Sequence, residues 1–175
     1  MQLGHTIPLQ KYLKIPLLSY GASCDLFFCW ELHRIILQSR ETMVAVNANN
    51  RFAIVLCGMD AWAWKNYVSE FTSGLEQAMD GEGYTGPQIR RYMQLAGKPE
   101  LTKTHGRRSV SGLNQMDNDL WSIPVTVKNG QLYQPVHCHE VNRQRCKMAG
   151  YDGCHVPSER FEHDMVRMGI LHRGP

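Results

Sequence analysis

The sequence predicts an α+β fold: an antiparallel sheet with a β-hairpin, covered by helices, plus a smaller C-terminal extension. Three observations carry that prediction. Residues 42–47 and 51–56 are apolar and rich in β-branched side chains, and only Ala48-Asn49-Asn50 separates them. Asparagine tolerates the positive φ that tight hairpin loops demand. Behind Asp60, a residue able to cap a helix, Trp64, Val68, Phe71, Leu75 and Met79 recur at steps of three or four. Finally, Val125-Thr126-Val127 and Gln131-Leu132-Tyr133 flank an Asn129-Gly130 pair, the strongest short-range hairpin signal.

In chain order, Thr6 caps a short helix with Pro8 in its first turn and Leu9, Tyr12 and Leu13 at helical spacing, and Pro16 ends it. Residues 26–30 read as a short buried segment. The hairpin follows, and the helix over residues 60–79 lays one face on it. Its aromatic stripe, Trp64 and Phe71, reads as core. Gly81, Gly83 and Gly86-Pro87 mark a loop before a shorter helix over residues 88–95 that ends near Gly97. The stretch 102–114 is then a loop feeding a helix that carries Leu113, Met116, Leu120 and Trp121, with Ser109 as its cap. Gly112 in the first turn permits close approach by another element or a ligand. Residues 125–133 form the second hairpin, a Cys/His segment follows, and Phe161, Met165 and Met168 place a last helix over residues 158–168. The domain reading is an α+β domain over residues 1–121, with the extension, residues 122–175, packed on it.

The chain's 175 residues, 43% hydrophobic and 20% charged, suit a globular body with a real core. Its longest apolar runs fall far short of the roughly 20 residues of a membrane span. The first ten residues lack the pattern of a secretory signal. A soluble cytoplasmic protein with no membrane partner is expected. Charge is uneven: residues 1–87 hold six Lys or Arg against eight Asp or Glu, and residues 88–175 hold thirteen against eight. The second half is therefore the anion-facing half. Cys24, Cys29 and Cys57 lie in apolar surroundings and read as reduced core residues.

The densest chemistry lies in residues 102–114, where Lys103, Thr104, Arg108, Ser109, Val110, Gly112, Leu113 and Asn114 form a Lys-Thr-x-x-x-Arg-Ser-Val-x-Gly-Leu-Asn pattern. With the order of elements before it, this motif resembles a family of small bacterial domains of unknown function, over about residues 3–121. That family has no established activity, so the resemblance implies a recurrent signature and no reaction. The paired Arg107-Arg108 and the tail after Trp121 depart from its pattern.

Lys103, His105, Arg107 and Arg108 on a loop entering a helix suit an anion, because free backbone amides and guanidinium groups converge there. The order of a P-loop is absent. The alternative is structural: Arg108 pairs with an internal carboxylate, Asn114 caps or bridges backbone, and Gly112 allows helix packing. His105 is a candidate general base, but no serine or cysteine stands in a nucleophile elbow, and Asp117 and Asp119 would point to different helix faces. In the tail, Cys138, His139, Cys146, Cys154 and His155 are ligand types for a structural zinc, although their spacing lacks a tight knuckle.

The function expected is a non-enzymatic binding module for a polyanion or a nucleic-acid complex. The alternatives are a plasmid- or phage-encoded accessory or inhibitor protein that binds a host protein complex, and a small hydrolase or transferase using His105.

Overall fold

A nine-residue strand that begins inside the short buried segment expected over residues 26–30 and runs well past it organises the sheet. In the computed structural model, which describes residues 1–172, the strands are β1 (Gln2–His5), β2 (Cys29–Leu37), β3 (Arg40–Asn47), β4 (Ala53–Cys57) and β5 (Glu100–Lys103). They pair in the order β4-β3-β2-β1-β5. β2, β3 and β4 form an antiparallel meander, but β1 lies parallel to both β2 and β5, so the sheet is mixed. The fold is α+β.

The expected hairpin is the pairing of β3 with β4, and a second, unforeseen hairpin joins β2 to β3. Gln38 and Ser39 both take positive φ at its turn, 48° and 63°, where glycine or asparagine usually sits. Without those residues the turn leaves little mark in the sequence.

Alternation along β2 sends Trp30 and Leu32 to one face of the sheet and Glu31, His33, Ile35 and Leu37 to the other. The first face is covered by α3 (Tyr67–Gly81), α4 (Gly86–Ala96) and α7 (Pro157–Arg167), with Phe71, Leu75, Tyr92 and Phe161 fully buried against Trp30. On the second face α5 (Arg107–Trp121) and α6 (Pro135–Arg143) bury Leu113, Met116, Leu120 and Val141 against Ile35, Val44 and Val55.

α1 (Ile7–Leu13) is capped by Thr6, whose hydroxyl accepts from the Leu9 amide, as expected. The single helix expected over residues 60–79 is two: α2 (Ala61–Lys65), capped by Asp60, and α3. Asn66 (φ −109°, ψ 20°) separates them, and the break lets Trp64 and Tyr67 both enter the core. Residues 125–133 form no hairpin. Leu132 and Gln134 instead pair with the edge of β4, through Cys57 N–H to Leu132 O (2.8 Å) and Gln134 N–H to Val55 O (3.0 Å). Asn129-Gly130 does turn, and the Gln134 side chain closes that turn, accepting from Lys128 N–H and donating to Gln131 O. The strand pair in the tail is β6 (Cys146–Lys147) with β7 (Cys154–His155).

The tail packs on the sheet through α6 and α7. Asn142 of α6 bonds both backbone groups of Ala53, at 2.7 and 2.9 Å, and so covers the β4 edge. Residues 173–175 of the expected extension lie outside the described residues. Among those described, no helix is long and apolar enough to cross a membrane. Cys29 and Cys57 are buried, as expected, but Cys24 is exposed, because it precedes the turn that carries the chain into β2.

Candidate functional site

The motif begins as edge strand and ends as helix. β5 hands the chain to residues 104–106, and α5 starts at Arg107 with Gly106 (φ 120°) in the capping position. Ser109 is therefore not the cap; it is buried in the first turn and faces Ala48 O at 3.5 Å.

The imidazole of the motif serves this protein's own carboxylate. Glu31 is fully buried, and its Oε1 accepts from the His105 amide (2.7 Å) and lies 3.1 Å from His105 Nδ1. On the ring's other side Nε2 lies 2.9 Å from Gln2 Oε1. The Gln2 amide is oriented by its Nε2, which donates to Ala22 O at 2.7 Å. Both ring nitrogens are therefore engaged by side-chain oxygens of the protein itself. Gly4 makes the cluster fit: a Cβ there would stand 2.2 Å from Glu31 Oε2. His5, on the opposite face of β1, shows the contrasting pattern. Its Nδ1 donates to Leu3 O and its Nε2 accepts from the Tyr67 hydroxyl, a neutral arrangement, and burial pulls its pKa below the ordinary value.

Gly112 meets an arginine. Arg51, 7% exposed and held at φ 63° in the β3-β4 loop, donates to Gly112 O (2.6 Å) and Lys147 O (3.1 Å), so it joins α5 to β6. A Cβ on Gly112 would come within 2.9 Å of Arg51 Nε. The close approach expected at this glycine is made, and another element makes it. Arg51 has no carboxylate partner, and neither do Arg108, Arg145 or Lys147, among the described ion pairs.

These four cations border two adjoining clefts that share Ser111 and Lys147. One, of about 300 Å³, runs past Arg108, Tyr151 and Asp152; the other, of about 380 Å³, runs past Arg51, Gln115, Asp119 and Arg145. Together they make a groove between α5 and the β6-β7 hairpin. Asp119 and Asp152 are its lining carboxylates, and Asp119 accepts from Gln115 at 2.8 Å.

The four motif residues expected to contact an anion are thus divided. Arg107 and Arg108 are exposed on the first turn of α5, and only Arg108 lines the groove. Lys103 lines a separate cleft with His105, its ammonium 5.2 Å from the centre of the Tyr20 ring. Asn114 is exposed. Arg108 does not take the internal carboxylate; His105 does. Sequence reasoning missed Glu31, although a lone acid inside the apolar run 26–32 was a signal. Arg51 left none.

The tail's metal-ligand types are dispersed. Cys138 is buried on α6, where its Sγ accepts from the Val55 amide at 3.2 Å, and burial pushes its thiol up to about 12. His139 is exposed on the same helix. In the hairpin Cys146 stands opposite His155, while Cys154 stands opposite Lys147 on the other face. His155 is held by Asp152 O (2.6 Å) and Arg160 (2.8 Å). Among the described residues no three His, Cys, Asp or Glu side chains converge on one metal position.

The family model for the Domain of unknown function (DUF6933) matches residues 2–160. The chain belongs to that family. The DUF6933 match runs well past Trp121, so it takes in α5, α6 and the β6-β7 hairpin, the elements that build the groove. No curated protein matches the chain.

Proposed function

We propose that this DUF6933 member is a non-enzymatic binding module that takes a polyanion, the phosphates of a nucleic acid or nucleoprotein complex, along the groove between α5 and the β6-β7 hairpin. The observation that carries the reading is Arg51: a buried cation without a carboxylate, under a groove whose Arg108, Arg145 and Lys147 also lack ion-pair partners. Four cations against the two lining carboxylates, Asp119 and Asp152, leave the groove with a net positive field, and such a field in a cleft with low-dielectric walls attracts anions. Arg108 and Lys147 are the first contacts, Arg107 and Arg145 flank them, and Ser111 offers a hydroxyl. Lys103, beside the exposed Tyr20, forms a second, smaller contact. His105 positions the loop through Glu31. A bacterial source, and the motif over residues 103–114 as a family signature, belong to the same proposal.

The test is the anisotropy of a labelled duplex and a labelled single strand, titrated with protein across a salt series. Affinity that falls steeply with salt supports the reading; no binding of either strand form at low salt overturns it.

The alternative of an accessory or inhibitor protein docking on a host protein rests on a different surface, the segment 14–25, where Leu17 is 77% and Tyr20 76% exposed. A hydrolase or transferase using His105 has less support, since both ring nitrogens are engaged within the protein.

A further inference from the structure

We infer that Cys24 and Cys29 form a dithiol site, oxidised to an intramolecular disulfide by exchange with a small disulfide. Their Sγ atoms lie 3.2 Å apart across the 3-10 turn Leu26–Phe28. That turn is clamped. Asp25 accepts from the Phe27 amide through its side chain and from the Phe28 amide through its carbonyl, each at 2.9 Å. Its carboxylate is held in turn by Arg167 at 2.6 and 2.9 Å. The Cys29 thiol also points to Asp25 O, at 3.6 Å, so both cysteines face one another on a fixed bend.

The two sulfurs differ in access, and the difference assigns their roles. Cys24 is exposed and lines a cleft with Gln2, Gly21, Ala22, Lys103 and His105, so an incoming disulfide reaches it first. Cys29 is fully buried, and burial raises its pKa, which makes it a poor first nucleophile. In the first step the Cys24 thiolate attacks one sulfur of the reagent disulfide, forming a mixed disulfide and releasing one thiolate. In the second, the Cys29 sulfur attacks Cys24 Sγ, expelling the second thiolate, which takes up the Cys29 proton. The protein loses two protons and two electrons, and the reagent disulfide is reduced to two thiols.

The bond would pin the end of segment 14–25 to the start of β2. The same segment carries Ala22 O, the acceptor that orients Gln2 against His105. Oxidation therefore fixes the wall of that cleft without touching the groove.

The folded full chain is incubated with oxidised glutathione, alkylated and mapped by peptide mass spectrometry. The expected product is a Cys24–Cys29 crosslink with no glutathione retained at either position. In Cys29→Ser the glutathione adduct stays on Cys24, and in Cys24→Ser Cys29 remains free. A lasting adduct on Cys24 of the unsubstituted chain, a crosslink from Cys24 to any other cysteine, or both thiols left free would each overturn the inference.

Discussion

His105 reaches Glu31 twice, through its backbone amide at 2.7 Å and its Nδ1 at 3.1 Å, and so anchors the start of the motif to the middle of the sheet. The imidazole of the motif is thus engaged within the protein. What is left for an external anion lies one turn further on, from Arg108 to Lys147.

Replacing Glu31 should therefore damage folding rather than binding. Without Glu31 the His105 amide and Nδ1 lose their shared acceptor, and a buried group left without its partner typically costs about 1–3 kcal/mol. Glu31→Ala is expected to lower chemical-denaturation stability by about 2–3 kcal/mol, while the fraction that stays folded keeps whatever affinity the unsubstituted chain shows for the proposed nucleic-acid ligand. Gly4→Ala should destabilise comparably, because its Cβ would collide with Glu31 Oε2.

Gly112→Ala drives a methyl group against the Arg51 guanidinium. Overpacking of this kind costs about 1–3 kcal/mol, so a clear loss in the denaturant midpoint is expected. Arg51→Met should cost stability as well, because it removes the two hydrogen bonds that join α5 to β6. The two substitutions combined should be less than additive, since they meet at one contact. A double-mutant cycle checks this.

Asn142→Ala tests whether the tail completes the sheet. It strips both hydrogen bonds from the backbone of Ala53, and each orphaned buried group costs about 1–3 kcal/mol. The expected result is a loss of about 2 kcal/mol or more in one cooperative transition. Loss confined to a separate transition for the tail would contradict it.

Acid should weaken the fold before the carboxylates titrate. His5, His33 and His137 are all held below their ordinary value of 6.5, mainly by burial. As pH falls through about 6.5 the unfolded chain takes up protons that the folded chain resists, so stability drops. The melting temperature is expected to be lower at pH 5.5 than at pH 7.5, and His5→Gln should flatten that slope.

Much of the fold was legible because local chemistry carries it. Thr6 and Asp60 cap helices as expected, and the β3-β4 hairpin and α7 follow from apolar periodicity. The parallel strands β1 and β5 were not legible, since each is four residues long and gains its partners only from distant parts of the chain. The Asn129-Gly130 signal misled because a free β4 edge outcompetes local pairing, and Gln134 then ties the turn down. The site was half visible. The motif's cations could be read, but whether each meets Glu31, Tyr20 or open solvent depends on which strand lies beneath it.

The groove is tested most directly by the salt dependence of duplex binding in the unsubstituted chain and in Arg108→Ala combined with Lys147→Ala. The slope of log affinity against log salt should become shallower by about 2, with the melting temperature unchanged because both side chains are exposed. An unchanged slope and affinity in that folded variant would contradict the account.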